Sequence, residues 1–72
     1  MKLDKNTKTA VKAGDVLRFS EREHYTVISI QRGKYPGALC FTVDDAEGRR
    51  LYGSPSSLFY GAEIVEQEAK KV

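Results

Sequence analysis

The sequence predicts an all-β fold of five short strands, and three observations carry the prediction. Runs rich in β-branched and aromatic residues recur, the clearest being Tyr25 to Ile30, and such residues favour a pleated, half-buried surface. Leu39, Phe41 and Val43 alternate with Cys40, Thr42 and Asp44, the period-two pattern of a strand with one face in the core. Gly, Pro, Asp and Ser punctuate the chain between these runs, as turns require.

Taken in order, residues 1–12 lack a sustained apolar period and are rich in Lys and Thr, so they are expected to form a flexible arm. Gly14 and Asp15 turn the chain into a strand over Val16 to Phe19, in which Leu17 and Phe19 share a face. The charged loop Glu21 to His24 reverses direction into a long strand over Tyr25 to Arg32. There Tyr25 and Val27 fall on one face and Ile28 and Ile30 on the other, which requires either two covered faces or a bulge.

Gly33 to Gly37 is a loop, because Pro36 has no amide to give a ladder. Leu39, Phe41 and Val43 supply core from the third strand. Asp45 to Gly48 makes a tight hairpin loop, returning the chain into Arg49 to Tyr52, with Leu51 pointing inward. Ser54 and Pro55 suit the start of one 3₁₀ turn. Ala62 to Val65 completes the sheet, and the last residues form a polar tail. The expected organisation is a basic arm over 1–12, a β domain over 13–66 and a tail over 67–72.

The order strand, loop, long strand, loop, strand, tight hairpin, strand, 3₁₀ turn, strand resembles the SH3-like barrels, among them the Tudor, KOW and chromo-related modules. The resemblance rests on AGDVLRF at 13–19, YTVISI at 25–30, FTVDDAEGRRLY at 41–52 and SPSSLF at 54–59. It implies a five-stranded barrel with a 3₁₀ turn before the last strand and flexible termini, and it carries no ligand with it. The proline-binding SH3 class uses a tryptophan, and this sequence has none. Tyr25, Tyr52 and Tyr60 are the rings available for an aromatic cage of the Tudor kind.

A chain of 72 residues has room for one core, and building a deep, dry pocket in so small a domain is hard. No enzymatic activity is expected. No apolar run approaches the roughly 18–20 residues that span a bilayer, so a cytoplasmic protein without membrane contact is expected. Cys40 is the lone cysteine and His24 the lone histidine, too few for a zinc site, and no cofactor is expected. A Cys-His or Ser-His catalytic pair lacks any surrounding signature. Asp44 and Asp45 are explained by hairpin geometry.

The net charge of +2 is unevenly placed: Lys2, Lys5, Lys8 and Lys12 against Asp4 put +3 on the arm, which leaves −1 on the remainder. A nucleic-acid binder usually carries a basic face. Three surface groups are candidates for partner binding. Arg32, Lys34 and Tyr35 set a ring between cations on a loop. Arg49 and Arg50 follow the acidic hairpin, where the alternative is that they pair with Asp44, Asp45 and Glu47. Tyr52 and Tyr60 are the third group, Tyr60 being the expected exposed member of Leu58-Phe59-Tyr60.

The favoured function is a small protein-interaction module of the regulator or inhibitor type, such as a phage-encoded protein that docks on a host nucleic-acid machine like RNA polymerase. A monomer is favoured. The alternative is direct nucleic-acid binding through the four arm lysines and the Arg32/Lys34/Tyr35 loop.

Overall fold

The computed structural model describes residues 1–35 and 38–65. The expectations for Pro36, Gly37 and the tail over 66–72 lie outside them. Five strands, β1 (Val16–Arg18), β2 (His24–Arg32), β3 (Leu39–Asp45), β4 (Arg50–Gly53) and β5 (Glu63–Val65), form one antiparallel sheet in the order β4-β3-β2-β1-β5. No ladder joins β4 to β5 among the described residues, so the pairing gives an all-β sheet and not, by itself, a closed barrel.

The register explains the split apolar pattern of β2. Val27 pairs with Val43, but the next pair is Ser29 with Thr42, so the bulge at Ile28 moves Ile30 onto the face of Phe41. Phe41 and Val43 point into the core with Leu17, Val27, Leu39, Phe59 and Ala62. Rings close its centre: Phe59 stacks on Phe41 at 6.0 Å and meets Tyr25 edge-on at 5.4 Å, geometries that add to plain burial.

Gly14 at positive φ begins β1, its N–H donating to the Val27 carbonyl, while the Asp15 carboxylate accepts the Lys12 N–H at 2.9 Å. The hairpin closes through the Gly48 N–H on the Asp45 carbonyl, with Gly48 in the left-handed region at φ 87°, where other residues are strained.

Four expectations are corrected. Residues 1–12 are not a free arm: Leu3 is 0% exposed and Val11 is buried. Leu3 exchanges backbone hydrogen bonds with Ala62 and Gly61, the Ile64 N–H donates to the Met1 carbonyl, and Lys2 bridges Glu63. Met1 to Leu3 thus lie along β5 through one isolated antiparallel bridge, and the chain then makes a 3₁₀ turn over Lys8–Ala10. Leu51, on the same face as Val43, is 37% exposed because β4 is the sheet's edge. Tyr60 is half-buried against the core, and Leu58 is the exposed member of its trio. The turn at Pro55–Leu58 is α-helical, the Phe59 N–H reaching the Pro55 carbonyl at 2.9 Å, and Ser54 makes no side-chain cap; this turn is labelled α1.

Candidate functional site

Alternation along β3 sends Cys40, Thr42 and Asp44 to the face opposite the core. Their ladder partners bring Gln31 beside Cys40, Ser29 and Tyr52 beside Thr42, and Arg50 beside Asp44. The outer face of β2-β3-β4 is therefore mainly polar, with Thr42 buried within it and one aromatic ring, Tyr52, exposed on it. Gln31 ties it together, its Nε2 donating to Ser29 Oγ at 2.9 Å and its Oε1 accepting from Thr42 Oγ1 at 3.3 Å. Tyr52, 67% exposed, stands over this network. Ser29, Gln31 and Thr42 gave no sequence signal of a shared surface, because the bulge that aligns them depends on the tertiary register.

The β3-β4 hairpin is charge-balanced on both of its sides. Arg50 grips Asp44 with both nitrogens, at 2.8 and 3.2 Å, and Arg49 bridges Asp45 at 3.1 Å and Glu47 at 2.6 Å. The alternative reading of Arg49 and Arg50, pairing across the hairpin, is therefore the one found. The Arg50 hydrogen bonds hold the Asp44 carboxyl below its ordinary range. Asp45 is lowered chiefly by the Arg49 N–H, with the Glu47 N–H and the Arg49 guanidinium adding to it.

Glu63 is lowered too, by the Met1 ammonium 2.8 Å from its carboxylate. A carboxyl depressed by folding contributes stability above its unfolded pKa of about 4, and that contribution is lost as pH falls toward the folded value. The thermal midpoint should accordingly hold from pH 7 to about 5 and drop between about pH 5 and 3. An Asp45→Asn variant, measured by circular dichroism over the same range, should show a shallower drop.

At the other end of β3, Gly33 and Ala38 close the β2-β3 loop through a 2.7 Å hydrogen bond. A side chain at 33 would place its Cβ 2.8 Å from that of Ala38, so the close approach requires glycine. The loop leaves Tyr35 75% exposed, and Arg32 and Lys34 before it are exposed as well. All three are exposed at this loop. Tyr25, Tyr52 and Tyr60 do not come together: Tyr25 packs inward on Phe59 and Tyr60 against the core, whereas Tyr52 faces outward, so they form no shared cage.

His24 and Cys40 are also kept apart. His24 pairs with Arg18 at the start of β2, whereas Cys40 pairs with Gln31 near its end, about 20 Å along the strand at ~3.3 Å per residue. Tyr25 donates to Glu23 at 3.2 Å, and its pKa is raised first by burial and then by that carboxylate. Among the described residues no cluster of three or more His, Cys, Asp or Glu is placed to hold a metal ion, and no helix is long and apolar enough to cross a membrane.

Lys2, Lys5, Lys8, Lys12, Arg22, Arg32 and Lys34 make no salt bridge among the described residues. Comparison with family models, with curated proteins and with solved structures finds no match to this chain.

Proposed function

We propose that this chain is a small non-enzymatic binding module of the SH3-like barrel type that works through protein–protein contacts. The strand order supports the barrel reading: β1 to β4 run as a meander, β5 returns to β1, and a bulge bends the long β2. The observation that carries the functional reading is an exposed aromatic, Tyr52, set beside a neutralised charge pair. Tyr52 stands on a hydrogen-bonding face whose arginine, Arg50, is paired with Asp44, and Tyr35 adds a second exposed ring on the β2-β3 loop. Rigid, amphipathic rings on a surface of balanced charge suit a protein partner. A domain too small for a deep pocket suits regulation or inhibition, for which docking on a nucleic-acid machine such as RNA polymerase is the proposed setting.

One observation favours a second reading, direct nucleic-acid binding. Lys2, Lys5, Lys8 and Lys12, with Arg32 and Lys34 beside Tyr35, make no salt bridge among the described residues while several acids are consumed internally, which favours their availability to phosphates.

Capture of a partner from lysate by wild type and by Tyr35→Ala and Tyr52→Ala tests the first reading. Both rings are exposed, so folding should survive, and capture should fall at least about tenfold for Tyr52→Ala if the ring is a hot spot. Undiminished capture by both variants contradicts the assigned surface.

A further inference from the structure

The two edges of the sheet are treated differently. The β5 edge is sealed by Met1 to Leu3, through the Leu3 N–H on the Ala62 carbonyl, the Gly61 N–H on the Leu3 carbonyl and the Ile64 N–H on the Met1 carbonyl, each at 2.8 Å. The β4 edge has no such cover among the described residues. Its free groups follow from the hairpin. The Asp45 N–H donates to the Arg49 carbonyl, and hydrogen-bonded pairs alternate along an antiparallel ladder. Val43 with Leu51 and Phe41 with Gly53 are then the bonded pairs, which turns the N–H and C=O of Arg50 and Tyr52 away from β3.

The side chains along this edge are apolar on the core face and carry Arg50 and Tyr52 on the outer face. Leu51 lies on the core side, and Leu58, 50% exposed, lies beside it against Gly53, where a Cβ would otherwise stand. Tyr52 covers the outer side. Natural edge strands are usually blunted by lysine, proline or a covering segment. Here the one charged side chain is Arg50, and Asp44 neutralises it.

We propose that β4 pairs with β4 of a second copy of this chain, antiparallel about a two-fold axis through Leu51, to form a weak homodimer with one continuous sheet. The edge is complementary to itself in that register. Arg50 meets Tyr52 of the second copy, and Tyr52 meets its Arg50, so the outward N–H and C=O groups of both strands satisfy one another. The same pairs set each guanidinium beside a tyrosine ring on the outer face, a favourable cation–aromatic contact. Leu51 faces Leu51 of the second copy at the close spacing of a non-hydrogen-bonded pair, flanked by both Leu58 side chains. Such an interface is isologous, so it closes at two copies. A four-residue strand buries less than a stable dimer requires, which sets the expected dissociation constant between about 10 μM and 1 mM.

Sedimentation equilibrium from 10 μM to 1 mM, with amide NMR shifts followed on dilution over the same range, tests the pairing without presuming any other partner. The expected mass rises from the monomer value of 8.1 kDa toward twice that value, and the Arg50 and Tyr52 amides shift with it. A Leu51→Lys variant, whose charge can reach solvent from this edge, should keep its thermal midpoint and stay monomeric. A wild-type mass of 8.1 kDa at 1 mM overturns the proposal. So does self-association in which the Arg50 and Tyr52 amides do not respond to dilution, a criterion that holds even if Leu51→Lys fails to fold.

Discussion

Phe59→Ala is expected to destabilise the domain by about 3–5 kcal/mol, the usual loss for a large aromatic in a packed core. Phe59 is fully buried between Phe41 and Tyr25, and it sits directly after α1. Removing it would open a cavity and also free the one helical turn from the sheet. A domain of this size has a total stability on the order of 4–11 kcal/mol, so the variant should lose a large share of it and unfold at a much lower urea concentration. Neighbouring Leu58→Ala, with half of its surface already in water, should change the urea midpoint little. Equal losses at the two positions would contradict the burial pattern.

Leu3→Ala should cost about 2–5 kcal/mol, as expected for a fully buried leucine, despite lying three residues from the chain start. Its side chain is part of the core, and its backbone is bonded to Ala62 and Gly61. Lys5→Ala and Lys8→Ala, whose side chains make no salt bridge among the described residues, should be near neutral by the same urea titration. If Leu3→Ala were also neutral, residues 1–12 would be the dispensable arm that their composition suggests. For this reason deletion of 1–12 is a poor probe of the arm lysines, since it removes core along with charge.

These two variants mark what a linear reading of this chain can and cannot see. Leu39, Phe41 and Val43 were legible as core because alternation is a local signal, and the Asp45 to Gly48 turn was legible because its residue types fix its conformation. The β2 bulge was legible as one of two possibilities, from the change of phase at Ile28. Leu3 and Val11 were not: each is an isolated apolar residue in a polar stretch, and only contact with β5 and the sheet makes it core. Leu51 had the right phase for burial, but its position on the edge strand depends on the strand order. Tyr60 followed Phe59 inward because the chain turns at α1, so the two no longer sit on opposite faces of one extended segment.

At the site, the exposure of Tyr35 was legible from its Gly/Pro loop, and the pairing of Arg49 and Arg50 with the hairpin acids was legible from their spacing. The Ser29-Gln31-Thr42 network beneath Tyr52 was not, since it joins two strands across a bulge.

The choice between a protein partner and nucleic acid turns on whether the free lysines and the Arg32/Lys34/Tyr35 loop act together on phosphates. Titration of the full chain with single- and double-stranded oligonucleotides of mixed sequence, at 50 and 200 mM salt, measures this directly. The protein-module account predicts at most weak association, with a dissociation constant above about 10⁻⁴ M at 200 mM salt. Micromolar binding that falls by about 10³-fold or more between the two salt concentrations, as six or more phosphate contacts would give, would contradict it.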